Sequence, residues 1–190
     1  FKNKIEAFDI GPGNCLIDEW MRKNSNKKFD KNGLTGELGT NNQLLFNQAI
    51  ENFNFDSYKN SLDIKDFDIS FARGLSLEDG CATITNFTAY LIAEGVKFLH
   101  KKKDYFSNKY LICGGGRKNN FLIKTIKKYL NNFENISLEN IDNFNHNGDF
   151  IESQAFGYLA IRSYLGLPIT FPHTTRCNKP LTGGSIIKNF

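Results

Sequence analysis

Two stretches of the chain share one pattern: a short apolar run ends in glycines and gives way to an amphipathic helical stripe. This pattern narrows the fold more than any other feature. The first stretch is Ile5 to Ile10, then Gly11-Pro12-Gly13, then a stripe through Leu16, Ile17, Trp20 and Met21 that Asn14 can cap. The second is Lys109 to Cys113, then Gly114-Gly115-Gly116, then Asn119 to Leu130 with Phe121, Leu122, Ile126 and Leu130 on one face. The two share a pattern and not a sequence repeat. Strands that alternate with helices in this way predict an α/β fold, with a mixed or parallel sheet flanked by helices.

The remaining elements fit that class. Asn24 to Gly39 is polar and glycine-bearing and reads as a loop, whereas Asn42 to Phe53 places Leu45, Phe46, Ala49, Ile50 and Phe53 on a helical face. After an irregular stretch with Asp63, Asp66 and Phe67, a long helix starts at Ser76. It carries Glu78 and Asp79 in its first turn, runs through Ile84, Phe87, Leu91 and Val96, and ends near His100. Ile136 to Leu138 suggests a weak strand, Phe150 to Leu165 a helix, and Gly183 to Ile187 a terminal strand or helix start.

A length of 190 residues suits one domain, or one lobe of a larger enzyme, with enough chain to bury most of its apolar side chains. The chain starts at Phe1 and its first strand follows almost at once, so it reads as a cut fragment. Cys15, Cys81, Cys113 and Cys177 are far apart and form no CxxC pair, which predicts reduced thiols. No apolar run approaches the roughly 18 residues of a membrane span and no signal peptide is visible, so a cytoplasmic protein without a membrane partner is expected. The net charge of +4 comes from scattered lysines. The dense run Lys101 to Lys103 follows a helical stretch, where the helix dipole favours cations, and no basic and aromatic residues interleave as nucleic-acid binding requires.

Three places carry candidate chemistry. Asp9 stands at the carboxyl end of the first strand before Gly11-Pro12-Gly13, where open α/β sheets bind ligands and where a carboxylate can serve as general base. The alternative is an Asp that caps its turn. Gly114, Gly115 and Gly116 expose consecutive backbone N–H groups before a helix that begins near Asn119, so adenosine or phosphate oxygens could lie against them. They match neither a P-loop nor a dinucleotide fingerprint, and a tight turn for close packing is the competing reading. Glu152, in Ile151-Glu152-Ser153-Gln154-Ala155-Phe156, is either a site carboxylate or an acid favoured by the helix dipole.

The order of several motifs resembles the anhydro-N-acetylmuramic acid kinase family across nearly the whole chain. Ala7 to Asn14 looks like the family's FD-x-GPGN segment, followed by Asp18 and Trp20, and Phe29-Asp30-Lys31-Asn32-Gly33 resembles its FD-x-x-G loop. Ser61-Leu62-Asp63 with Asp66-Phe67, Ala82-Thr83 with Thr88-Ala89, Cys113 to Gly116 with Asn119, Glu152 to Phe156, and Pro180-Leu181-Thr182-Gly183-Gly184 follow in the same order.

The resemblance implies the carboxy-terminal lobe of a two-lobed, actin-like (ribonuclease H-like) sugar kinase whose amino-terminal lobe lies outside residues 1–190. It implies a reaction of cell-wall recycling in which water opens 1,6-anhydro-N-acetylmuramic acid and O6 takes the γ-phosphate of ATP. By the same resemblance Asp9 activates the water, Glu152 helps hold the sugar, and Gly114, Gly115, Gly116 and Asn119 line the adenosine side. It implies Mg²⁺ with unassigned ligands, and a homodimer of the intact protein. Asn60 stands where the family has a lysine and Ile64 where it commonly has an arginine. The lobe alone is expected to be inactive. A non-catalytic nucleotide-binding or interaction module and a kinase for another amino sugar remain as alternatives.

Overall fold

The computed structural model describes residues 7–55, 62–101, 108–131, 133 and 136–187. Its contacts divide the chain into two compact units, one of Asp9–Gly148 and one of Phe1–Phe8 with Asp149–Phe190.

The larger unit is built around α4 (Leu77–Lys101), where the sequence predicts its long helix. From Gly80 to Ala89 every residue of α4 is buried, so neighbours must cover it on all sides. Other helices do so. α1 (Cys15–Asn24) buries Leu16, Ile17, Trp20 and Met21, and the Trp20 indole donates to the Leu77 carbonyl at 2.9 Å. α3 (Gln43–Glu51) buries Phe46 and Ala49, and Asn42 caps it by accepting from the Leu45 N–H at 3.1 Å. α5 (Asn120–Leu130) lays Leu122, Ile126 and Leu130 against Ala89, Ala93 and Val96. Close approach depends on small residues in α4: a Cβ on Gly80 would overlap the Trp20 ring, and one on Gly95 would meet Ile10 at 2.7 Å.

β1 (Lys109–Ile112) and β2 (Ser137–Asn140) pair in parallel, from Lys109 opposite Ser137 to Ile112 opposite Asn140. The connection between them runs through the glycine turn and α5. The expected helix-flanked parallel sheet is therefore present, as two strands among the described residues.

Four expectations need correction. Of the predicted first strand, Ile5 and Glu6 lie outside the described residues, and residues 7–10 have no regular structure. No strand pairs with them there: the Ala7 N–H bonds the His173 carbonyl, and Ile10 packs on Gly95. The predicted loop from Asn24 to Gly39 contains a short helix, α2 (Leu34–Leu38), because the Asp30 carboxylate accepts from the amides of Thr35 and Gly36 at its start. Asn14 occupies the N-cap position of α1 without bonding the helix through its side chain. Gly183 to Ile187 forms neither strand nor helix.

In the smaller unit, α6 (Ile151–Tyr164) is followed by α7 (Pro172–Thr175), which an antiparallel bridge between Thr170 and Leu181 flanks on both sides. The Ser163 hydroxyl donates to the Gly183 carbonyl, which fixes the closing glycine motif to α6. All four cysteines are free thiols, as expected. Lys101 ends α4, while Lys102 and Lys103 lie outside the described residues. Among the described residues no helix is long and apolar enough to cross a membrane.

Candidate functional site

The Gly114 to Gly116 turn is held from behind. Arg117, 7 % exposed, donates through Nε to Asp142 Oδ2 at 2.9 Å and through a terminal nitrogen to the Gly114 carbonyl at 3.0 Å. Asp142 Oδ1 accepts from the Gly148 N–H at 2.8 Å, and the Gly148 carbonyl accepts from the Gly114 N–H at 2.9 Å. Both polar groups of the Gly114 peptide unit are thus fixed. The hydrogen bond from Arg117, then that from Gly148, holds the Asp142 carboxyl below its ordinary range.

The three glycines have different reasons to be glycine. Gly114 has φ +75°, a left-handed conformation that disfavours a side chain. Gly115 and Gly116 have no such constraint, and a Cβ on either would meet nothing closer than the Asn14 side chain, at 4.0 Å and 3.7 Å. The protein's own packing leaves room for a methyl at both. What they keep open is space in front of the turn.

That space is a pocket of about 370 Å³ within the larger unit. Asn14 and Asp18 reach it from the start of α1, Phe29 to Asn32 from the following loop, and Gly115, Lys118 and Asn119 from the glycine turn. Three separate sequence motifs therefore meet at one concavity. Each wall is anchored. Asp30, 5 % exposed, accepts from the amides of Thr35 at 2.8 Å and Gly36 at 3.0 Å, and the Cys81 thiol donates to it at 3.4 Å. Burial, with the Asp30 charge second, pushes the Cys81 thiol far above its usual range, so it stays protonated as a donor. Asn119 caps α5 by accepting from the Leu122 N–H at 2.9 Å. Gly33, at φ +79°, lies so close to Asn119 and Phe121 that a Cβ there would collide with both.

Asn14 Oδ1 is buried and accepts no hydrogen bond among the described residues. Asp18 is half-buried one helical turn further on, and burial raises its carboxyl above the ordinary range, with Arg22 opposing and Asp30 adding to the rise. Asp9 is exposed and belongs to the same unit, where its Oδ2 accepts from the Leu62 N–H at 2.9 Å. This bond ties the segment after Ser61 to the carboxylate. Glu152 lies in the first turn of α6, in the smaller unit. Asn60 is outside the described residues.

A larger groove of about 860 Å³ follows α5 and β2, rimmed by Lys124, Lys127 and Lys128. It contains none of Asp9, Gly114, Gly115, Gly116 or Asn119, and its size does not outweigh the convergence of motifs at the smaller pocket. Sequence reasoning missed Arg117, Asp142, Gly148 and the role of Asn14. Only a basic residue directly after the glycines hinted at the first of these.

The larger unit is a helix-rich α/β fold with a small parallel sheet and a pocket that the glycine turn helps to wall. Residues 2–189 match the family described as Anhydro-N-acetylmuramic acid kinase, and the chain belongs to that family. A relative of that name from Pelagibacter ubique (strain HTCC1062) is 47 % identical over 188 residues, which cover 98 % of this chain and 50 % of the relative. Relatives of the same name from Rhizorhabdus wittichii and Zymomonas mobilis subsp. mobilis are 38 % and 35 % identical, covering 96 % and 97 % of this chain and 48 % and 49 % of their own lengths. The chain spans about half the length of the curated relatives it matches.

Proposed function

We propose that this chain is the carboxy-terminal lobe of an actin-like kinase that uses ATP to convert 1,6-anhydro-N-acetylmuramic acid into N-acetylmuramic acid 6-phosphate. The observation that carries the reading is the pocket lined by Gly115 and Asn119, where the packing leaves room for a side chain on Gly115 that the sequence does not place there. Family membership supports it. Same-named relatives are kinases by their printed names, and a kinase needs a seat for a nucleotide.

In this reading the nucleotide lies against Gly114, Gly115 and Gly116, whose missing side chains admit its close approach. The Asn119 carbonyl oxygen is committed to the α5 cap, which leaves its amide nitrogen to serve the ligand. Asp9, oriented by the Leu62 amide, takes a proton from water as that water attacks the anomeric carbon. The bond from C1 to O6 breaks, and the released O6 attacks the γ-phosphorus with ADP as leaving group. Glu152 holds the sugar. Magnesium would neutralise the charge of the transferring phosphate. Among the described residues no group of three His, Cys, Asp or Glu side chains could hold an ion. The same reading makes the intact protein a cytoplasmic homodimer that acts on two small molecules.

The test is Asp9→Asn in the intact protein. General base catalysis is worth about 10²–10⁴-fold, so turnover should fall by that factor while ATP and sugar binding change little. Ring opening and phosphorylation should fall together, because one water attack releases O6. A folded variant that turns over near the wild-type rate removes Asp9 from the mechanism.

A further inference from the structure

We propose that Asn14 and Asp18 read the ribose of the nucleotide, each accepting a hydrogen bond from one hydroxyl of its vicinal diol. The inference rests on the reading of the pocket as the nucleotide site and adds which part of the nucleotide this wall recognises.

The first observation is Asn14 Oδ1, a buried acceptor that no donor satisfies among the described residues. Such an atom is costly to leave unpaired and is rare in native structures, so a donor absent from this chain is its natural partner. The helix that starts here does not use the side chain, which lines the pocket beside the glycine turn, 3.7 Å from where a Cβ on Gly116 would stand. The second observation is Asp18, on the same wall of the same pocket. The Asp18 N–H donates to the Asn14 carbonyl at 2.9 Å, which places the two residues one helical turn apart with neighbouring side chains. Together they offer adjacent acceptors, one neutral and one anionic.

The chemistry of that wall selects the ligand group. A phosphate offers only acceptors and negative charge, and would be repelled by Asp18 and by the buried Asp30 beside it. A cation would find a poor site, since the oxygens of Asp30 already accept from two backbone amides. A protonated amine has donors enough for both acceptors, but Lys31 and Lys118 line the same pocket and would repel its charge. Two neighbouring hydroxyls satisfy both, and a carboxylate is the group that holds ribose hydroxyls in dinucleotide folds. Lys31 and Lys118, also at the pocket, are suited to the phosphate end instead.

Equilibrium binding of ATP, 2′-deoxy-ATP and 3′-deoxy-ATP to the intact protein tests this. Wild type should bind ATP roughly tenfold or more tightly than each deoxy analogue, the usual weight of one hydrogen bond to a ligand. Asn14→Leu should weaken ATP by a similar factor while leaving one deoxy analogue unchanged, and Asn14→Asp, which keeps an acceptor, should retain the discrimination. Equal wild-type affinity for all three nucleotides would overturn the assignment without any variant. So would an Asn14→Leu protein that loses affinity for all three alike, the mark of a structural role. Gly115→Val separates a failure of the ribose contacts from a failure of the nucleotide site. If it leaves ATP affinity unchanged, the pocket is not the nucleotide site and the ribose assignment falls with it. If it weakens ATP while Asn14→Leu keeps the preference for ribose, only the ribose assignment falls.

Discussion

Replacing Asp30 by alanine should loosen the pocket and the start of α2 together. Asp30 is 5 % exposed, and its carboxylate accepts from the Thr35 amide at 2.8 Å and the Gly36 amide at 3.0 Å. Asp30→Ala leaves two amides and the Cys81 thiol without their acceptor. Each stranded backbone N–H costs about 1–3 kcal/mol, and local relaxation recovers part of the sum, so the net loss should be about 2–4 kcal/mol. For a chain of this size each kcal/mol moves the melting temperature by about 2–4 °C, which gives a drop of roughly 5–15 °C. Asp30→Asn keeps one acceptor oxygen and should fall between Asp30→Ala and wild type. Thermal unfolding by circular dichroism measures both, and nucleotide affinity well below the transition reads the pocket. An Asp30→Ala protein that melts within about 1 °C of wild type would refute the role given to this carboxylate.

Other expectations follow from the same contacts. In Gly148→Ala the new methyl would collide with Arg117, whose Cδ and Cζ lie at 2.7 Å and 2.8 Å from its position, so the guanidinium must leave Asp142. The variant should lose about 1–3 kcal/mol in denaturant unfolding and bind ATP more weakly; wild-type values for both would show the clamp to be dispensable. Because Arg117 depresses the Asp142 carboxyl in the folded state, its contribution is complete above the ordinary carboxylate pKa of about 3.9 and is lost as pH falls through the lower folded value. The melting difference between wild type and Asp142→Asn should therefore stay constant from neutral pH down to about 5 and shrink only in stronger acid. A difference that vanishes near neutral pH would contradict the depressed carboxyl. Gly80→Ala gains about 1 kcal/mol of helix propensity but drives a methyl into the Trp20 ring, an overlap that costs about 1–3 kcal/mol. Net destabilisation should appear as a lower denaturant midpoint, and a stabilised variant would mean that Trp20 moves freely.

What the sequence made legible was local. α3, α4 and α5 each announce themselves within a few residues, through periodicity or an acidic first turn. The glycine turn before α5 was equally plain, although sequence could not separate Gly114, glycine for its backbone angle, from Gly115 and Gly116, glycine for open space. The first apolar run misled because Phe8 and Ile10 look the same whether they line a strand or, as for Ile10, fill a notch above Gly95. α2 was hidden because five residues carry no periodic signal and its anchor, Asp30, acts from outside the helix. The clamp behind the turn joins Arg117 to Asp142 across 25 residues, and the bond that orients Asp9 comes from Leu62, 53 residues away. Such pairings arise only from the folded chain. Asn14 shows the same limit, since its type suits a cap and only the structure reveals that no cap forms.

Product analysis is the most direct test of the proposed coupled reaction. The intact protein, incubated with ATP and 1,6-anhydro-N-acetylmuramic acid, should form ADP and N-acetylmuramic acid 6-phosphate in equal amounts, as read by mass spectrometry and phosphorus NMR. No ring-opened sugar lacking phosphate should accumulate, and no phosphorylated sugar should keep its anhydro bridge. ATP turnover without sugar phosphate, or phosphorylation of a sugar whose bridge survives, would contradict the account.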